Sequence, residues 1–418
     1  MEALMRSKVY FVPSYIGSLK YLLRVATPLQ NRYDIGFLII HPNSNLREQM
    51  ITFCKEKGLT FSVITDELEV SQQVTVPFYV PLRKRYVHSK RCREFLQAER
   101  PLKIVVTKTK YPHDTIVKEA NRLGVETTLL QWSYYNRRYT PAYISVHQEG
   151  LFSTSSRVLA YQIILKAITF FLDIPFKEAR YAHTYGNPRK VGVFDETEAK
   201  YRAKFFDPSI IRVIGAVDFQ IVHELKEKID SDVFFRKELL KKYNLSPEKQ
   251  KIVVVLSRYY LGKKDGHGLE GEEHIIFHYD VFKTIRSVFA PNEAELIFKL
   301  HPAEENVYES YKELGVNIYD DEANIDELLC LSDLYIADPA TNVNYMALAS
   351  NISAIFMNFY PIKSPEEHLK HYHISDTALD MASFSQRLQQ FKGGILPKQY
   401  DNSQVNTHSL DAAVELIG

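Results

Sequence analysis

Cysteine is scarce in this chain: Cys54, Cys92 and Cys330 are its only three in 418 residues, at spacings that make neither a disulfide framework nor a metal-ligand set. That pattern excludes a cystine-stapled scaffold and predicts a reduced, cytoplasmic setting. An excess of one charge is also missing, since 52 Lys and Arg face 51 Asp and Glu for a formal net charge of +1. A general nucleic-acid binder usually carries a basic stripe, so that class is set aside. Long apolar runs are missing too. The longest, "VLAYQIILKAITFFLDIPF" at 158–176, is interrupted by Lys166 and cut short by Asp173 and Pro175, so no transmembrane helix is expected. The opening "MEALMRSKVYFVPSY" lacks the apolar core and small-residue cleavage site of a signal peptide.

What is present is alternation. "KVYFVPSY" (8–15), "DIGFLII" (34–40), "KIVVTK" (103–108) and "ETTLLQW" (126–132) are β-rich runs separated by helical patterns. After a less regular stretch the rhythm returns with "KIVVVLS" (251–257), "AELIFKLH", "VNIYD", "DLYIAD" and "SAIFMNF", again with helical segments between. Strands alternating with helices imply βαβ units and parallel sheets. At this length the chain can hold two such domains, each with its own core. The expectation is an α/β protein of two Rossmann-like lobes facing a central cleft. Residues 1–185 would form the first lobe, 186–214 a connecting segment broken by Pro188, and 215–375 the second lobe. Residues 376–418 would be helical and pack back on the first lobe.

The segment "IFKLHPAEENVY" (297–308) ends a buried strand on Lys299-Leu300-His301-Pro302. A proline cannot continue the ladder, so His301 is held at the strand's carboxyl end, where α/β proteins seat ligands. A ring nitrogen there can donate to a phosphate oxygen, and Lys299, two positions earlier, shares that face of the strand. "SDLYIADPATNVNYMAL" (332–348) places Asp338 at another strand end. A turn through Ala340, Thr341 and Asn342 then opens a helix whose N–H groups suit phosphate. A loop follows "KIVVVLS", beginning with Ser257 and Arg258.

These second-half motifs resemble the donor lobe of GT-B bacterial cell-surface polysaccharide glycosyltransferases. They are also similar to CDP-glycerol glycerophosphotransferases and UDP-N-acetylglucosamine 2-epimerases. "IRVIGAVDFQIVHELKEKI" (211–229), with Gly215 closing a strand, looks like the entry to that lobe, and "KLHP" like the family's histidine-proline motif. The resemblance implies a metal-independent enzyme without a cofactor that moves a sugar from a CMP-, CDP- or UDP-linked donor. The acceptor would be a glycan or lipid-linked molecule in cell-surface polysaccharide synthesis. The phosphate-binding set would be His301, Lys299, Thr341, Asn342, Ser257 and Arg258, with Gly215 and Asp338 also in the cleft. Where many relatives carry a ribose-binding glutamate this chain has Met346, and Trp132-Ser133 replace a usual His-Gly. A sugar-nucleotide epimerase or hydrolase and a non-catalytic binding protein of the same fold remain alternatives.

Inverting transfer needs a base to take the acceptor's proton. His113 and Asp114, at a helix start directly after a strand, are the expected pair, with His41 and Glu149 as further candidates. Asp114 also reads as a helix N-cap. Gly17, just past the first strand, would let a ligand approach the backbone. Segment 155–190 joins an apolar helical pattern to Lys177, Arg180, Arg189 and Lys190. It is read either as a peripheral contact with the inner face of an anionic membrane or as a buried helix with a solvated basic tail.

Overall fold

The short β-branched runs become strands because they are buried on both faces, as parallel sheets require. The computed structural model describes residues 6–41, 43–65, 79–108, 112–132, 187–204, 206–257, 272–301, 308–320, 323–339, 341, 343–359, 374–399 and 405–418. The chain divides into two units, Met1–Val217 with Ser409–Gly418, and Asp218–His408.

The first unit holds seven strands: β1 (Lys8–Val12), β2 (Asp34–Ile39), β3 (Phe61–Val63), β4 (Lys103–Val106), β5 (Glu126–Leu130), β6 (Lys190–Val193) and β7 (Ile211–Val213). They run parallel in the order β3-β2-β1-β4-β5-β6-β7. Helices α1 (Ile16–Leu29), α2 (Ser44–Glu56), α3 (Tyr79–Glu99), α4 (His113–Arg122) and α5 (Glu196–Arg202) lie between them in sequence. Tyr10 and Val12 of β1 pack with Cys92 and Leu96 of α3 and with Ile116 and Ala120 of α4. Tyr10 stands opposite Gly36 in register. A Cβ at Gly36 would lie 2.5 Å from the Tyr10 ring, so the ring occupies the space a side chain would need. The Tyr10 hydroxyl donates to Glu99 at 2.8 Å, and the Lys8 ammonium reaches the same carboxylate at 2.8 Å, which fastens the end of α3 to β1.

The second unit holds β8 (Lys251–Leu256), β9 (Ala294–Lys299), β10 (Val316–Tyr319), β11 (Leu334–Ala337) and β12 (Ser353–Phe356). These run parallel in the order β10-β9-β8-β11-β12. Its helices are α6 (Val217–Ser231), α7 (Val233–Lys242), α8 (Glu272–Val288), α9 (Ile325–Leu331), α10 (Asn344–Ser350) and α11 (Met381–Lys392). Val253, Val255, Leu296 and Phe298 of the sheet meet Phe282 and Ile285 of α8 and Phe384 and Leu388 of α11 in one buried cluster.

Two segments differ from the sequence reading. Residues 186–214, expected as a connector, supply β6 and β7 to the first sheet. At four residues β6 is too short for its alternation to stand out, and β7, the strand expected before Gly215 as the entry to the second lobe, pairs with β6 instead. Residues 376–418 do not act as one piece. Helix α11 belongs to the second unit, and only α12 (Ser409–Ile417) docks on the first. There the Lys103 ammonium donates to the Ile417 and Gly418 carbonyls and Lys190 to that of Leu416, capping carbonyls that the helix leaves without partners. A Cβ at Gly192 of β6 would lie 2.7 Å from Ile214 Cδ1 and 2.9 Å from Leu416 Cδ2, so the α12 contact needs glycine beneath it.

Candidate functional site

Both sheets reverse direction once in the same way. Strands β2 and β3 lie to one side of β1 and β4 onward to the other, and β9, β10 and β11, β12 flank β8 likewise. Crossovers that leave two adjacent strands in opposite directions open a notch at their carboxyl ends, and ligands of doubly wound sheets bind there. The notches fall between β1 and β4 in the first unit and between β8 and β11 in the second.

In the first unit, β1 runs through Pro13, Ser14 and Tyr15 into α1. The Ser18 hydroxyl accepts from the Ser14 and Tyr15 amides at 2.7 and 3.0 Å and donates to the Tyr15 carbonyl at 2.8 Å. Ser14 Oγ lies 3.4 Å from Thr107 Oγ1, which bridges the ends of β1 and β4. His113, the first residue of α4, has Nε2 3.0 Å from the Pro13 carbonyl oxygen. A carbonyl can only accept, so Nε2 carries the proton and Nδ1 is a bare acceptor. Nδ1 is buried and has no partner among the described residues. Burial pushes the His113 imidazole down to about 3. A ring that holds a proton so weakly is a poor general base at neutral pH, which corrects the role expected for it. Asp114 is fully buried in the first turn of α4 and accepts from the Thr115 hydroxyl at 3.1 Å. It does not cap the helix, because the helix begins one residue earlier with Pro112 in the cap position.

Gly17 does not open the backbone to a ligand on its Cβ side. A Cβ there would stand 3.4 Å from the Tyr15 ring and 3.5 Å from the Trp132 ring, and those rings meet edge-on at 4.6 Å. His41, one residue beyond Ile40 at the end of β2, turns Nδ1 to the Asn43 backbone, 3.0 Å from its amide nitrogen and 3.3 Å from its carbonyl oxygen, which leaves Nε2 facing away from Asn43. Burial depresses its pKa, and the charges of Lys108 and Arg47 press it further down. Lys108, just past β4, is half-buried, and burial lowers its pKa as well.

In the second unit, Ser257 follows β8 and its amide donates to the Lys299 carbonyl at 3.1 Å. His301 is half-buried, two residues past β9 and therefore one strand away from the β8–β11 notch. Lys299 is buried, and its ammonium bonds the carbonyls of Leu300 and Asp320. The phosphate role expected for it is corrected, because its donors are turned to the backbone at the end of β10. Asp338, just past β11, is 7 % exposed. Thr341 is half-buried, and its hydroxyl is 3.4 Å from the Val343 amide, in the manner of a hydroxyl at a helix start. The helix it opens, α10, is seven residues long. Gly215, at φ +82°, makes the left-handed turn after β7, yet it stands in the first unit rather than in the second. Arg258, Asn342, Ala340, Pro302 and Glu149 lie outside the described residues, as does 155–186.

Two residues escaped the sequence reading. Asn344 is fully buried, with Nδ2 donating to the Asp338 carbonyl at 3.1 Å and Oδ1 accepting from the Tyr335 hydroxyl at 2.9 Å. It locks the turn that carries Thr341. The spacing of Asp338 to Asn344 was visible, but a helix-opening asparagine looks like any other cap. Lys108 looked like an ordinary lysine at a strand end. Among the described residues no group of three or more His, Cys, Asp or Glu could hold a metal ion, and no helix is long and apolar enough to cross a membrane.

Solved structures share this architecture along nearly the whole chain. The UDP-GlcNAc 2-epimerase of Neisseria meningitidis, bound to UDP-GlcNAc, is similar at a TM-score of 0.58 and 12% identity, over 98% of each chain. The chain has the GT-B fold. MurG of Acinetobacter baumannii is similar at a TM-score of 0.52 and 10% identity, over 99% of each chain. The glycotransferase of kitacinnamycin gives a TM-score of 0.54 and 14% identity, over 99% of this chain and 95% of its own. No protein-family model matches the chain, nor does the sequence of any curated protein. At such identities the likeness carries the fold, and function rests on the side chains at the two notches.

Proposed function

We propose that the protein is a glycosyltransferase that takes a sugar from a nucleotide donor and passes it to a glycan or lipid-linked acceptor in cell-surface polysaccharide synthesis. The observation that carries this reading is the repeated strand order, which gives each unit a polar notch at the carboxyl edge of its sheet. The second unit receives the donor, with Ser257, His301, Asp338 and Thr341 around its phosphates and sugar. The first unit receives the acceptor. In the reaction an acceptor hydroxyl oxygen bonds to the anomeric carbon as the bond from that carbon to the phosphate oxygen breaks. The nucleotide leaves with the electron pair, and the hydroxyl proton passes to a base. Donors that stabilise the charge growing on the phosphate are what the second unit supplies, and His301 is the side chain suited to it.

The likeness to 2-epimerases favours a second reading, a sugar-nucleotide epimerase or hydrolase on the same fold. The two separate by acceptor dependence. Calorimetric titration with UDP, CMP, CDP and GDP should find one nucleotide that binds, and His301→Ala should weaken it about tenfold, or ~1.4 kcal/mol, with the melting temperature unchanged. Consumption of the matching nucleotide-sugar only when an acceptor glycan is added supports the transferase. Turnover without acceptor supports the epimerase or hydrolase, and binding of no nucleotide defeats both.

A further inference from the structure

At the carboxyl edge of the first sheet Lys108, His41 and Arg47 make no ion pair among the described residues, and the acid found there, Asp114, is fully buried at the start of α4. Strands β2 and β4 flank β1, so His41 and Lys108 leave the sheet two strand spacings apart, on the order of 10 Å. Between them β1 has turned away into α1, with the His113 ring held against the Pro13 carbonyl at 3.0 Å. Arg47, in the first turn of α2, donates to the His41 carbonyl at 3.2 Å and makes no ion pair among the described residues. Lys108 is half-buried and makes neither a hydrogen bond nor an ion pair among the described residues. A partly desolvated ammonium without a counter-charge costs stability, and proteins keep such groups mostly where they meet a ligand. The neighbouring His41 turns Nδ1 to the Asn43 backbone, and its Nε2 has no partner among the described residues. His113 stays neutral and adds no charge of its own.

We propose that this notch is an anion subsite, in which Lys108, His41 and Arg47 receive a phosphate or carboxylate borne by the acceptor. This rests on the transferase reading and narrows it, because the acceptor is then an acidic glycan or a phosphate-linked one rather than a neutral sugar. Lys108 is the centre of the site, being the one side chain of the three with no bond to the protein among the described residues. His41, its ring oriented by the Asn43 backbone, turns Nε2 to the anion, and Arg47 supplies field from the adjacent helix. A depression at the opposite edge of the sheet, lined by Arg6, Lys8 and Tyr33, does not compete, because Lys8 is already paired to Glu99 at 2.8 Å.

The test is calorimetric binding to the full chain of inorganic phosphate, and of glucose 6-phosphate and glucuronate against glucose. Wild type should bind phosphate and at least one acidic sugar, with affinity falling as salt rises, and should ignore glucose. Preference between the two acidic sugars tells which group the acceptor carries. Lys108→Met should weaken anion binding at least tenfold while melting about 2 °C or more higher, since an unpaired desolvated charge is gone. His41→Asn should weaken it less, and Lys283→Met, exposed in the second unit, should change nothing. Nucleotide affinity should survive Lys108→Met. The proposal is overturned if wild type binds no anion, if Lys108→Met binds as wild type does, or if Lys108→Met weakens the nucleotide equally, which would put the notch with the donor. If anions bind through Lys108 but no sugar is ever transferred, the subsite stands and the transferase reading falls.

Discussion

The two units share a strand order and differ in what they leave at its notch. In the first, Lys108 and Arg47 bring positive charge to the carboxyl edge near His41, beside a buried imidazole whose Nδ1 has no partner among the described residues. In the second, two buried side chains are bonded within the protein itself. Asn344 bridges Tyr335 and the Asp338 carbonyl, and Lys299 is bonded to the backbone. The same topology therefore prepares two kinds of surface, one basic and lacking counter-charge, the other polar and pre-arranged. Strand order decides where a ligand can sit, and the side chains decide which charge it carries.

The comparison breaks most forcefully where backbone and side chain already touch. Gly36→Ala puts a methyl group 2.5 Å from the Tyr10 ring, whose hydroxyl is tied to Glu99. Loss of about 3 kcal/mol is expected, read as faster hydrogen exchange across β1 and β2 with the second sheet unaffected. In the other unit, Asn344→Ala removes one bond to a buried tyrosine hydroxyl and one to a buried turn carbonyl. About 2 kcal/mol should be lost there, and nucleotide binding with it, while exchange in the first sheet stays as it was.

Acid should separate the units as well. His113 has a folded-state pKa of about 3, below its ordinary value of 6.5, so the folded protein stays neutral there while the unfolded chain takes up a proton. The stability this provides is complete above about pH 6.5 and is lost as pH falls toward 3, amounting to about 2 kcal/mol at pH 5. Denaturant melts at pH 7 and pH 5 should show that loss, and His113→Asn should shrink the difference between the two. If the mutant lost as much on acidification, the buried ring would not be its source. The smallest effect belongs to Gly17→Ala, where a Cβ meets the Tyr15 and Trp132 rings at ordinary contact distances. A stability change below about 0.5 kcal/mol is expected in a thermal melt, unlike the change at Gly36.

Much of the fold was legible because parallel strands buried on both faces are written as plain apolar runs. "KVYFV", "KIVV", "KIVVVL" and "AELIF" each became a strand. Strand β6 was not, since "KVGV" is too short to carry a period, and the strand before Gly215 was legible as β7 but belongs to the first unit rather than the second. Of the expected site residues, His301, Ser257, Thr341 and Asp338 stand at or near the carboxyl edge of the second sheet. His113 and Lys299 were misjudged for one reason. A titratable residue at a strand end reads the same in sequence whether its polar atoms meet a ligand or the neighbouring backbone, and only the path of Pro13 and of Asp320 decides which.

The sequence by itself determined that the chain builds parallel α/β units and that polar residues stand at the ends of their strands, because hydrophobic period and proline placement are local properties. The tertiary structure alone decided which strand ends adjoin. The order β2-β1-β4 sets His41 and Lys108 on either side of one notch though they lie 67 positions apart in the chain, and Lys103 and Lys190 hold the end of α12 on the first sheet. Burial then fixed the chemistry, since the same imidazole that would titrate near neutrality in water is held neutral once a backbone carbonyl and a closed core surround it.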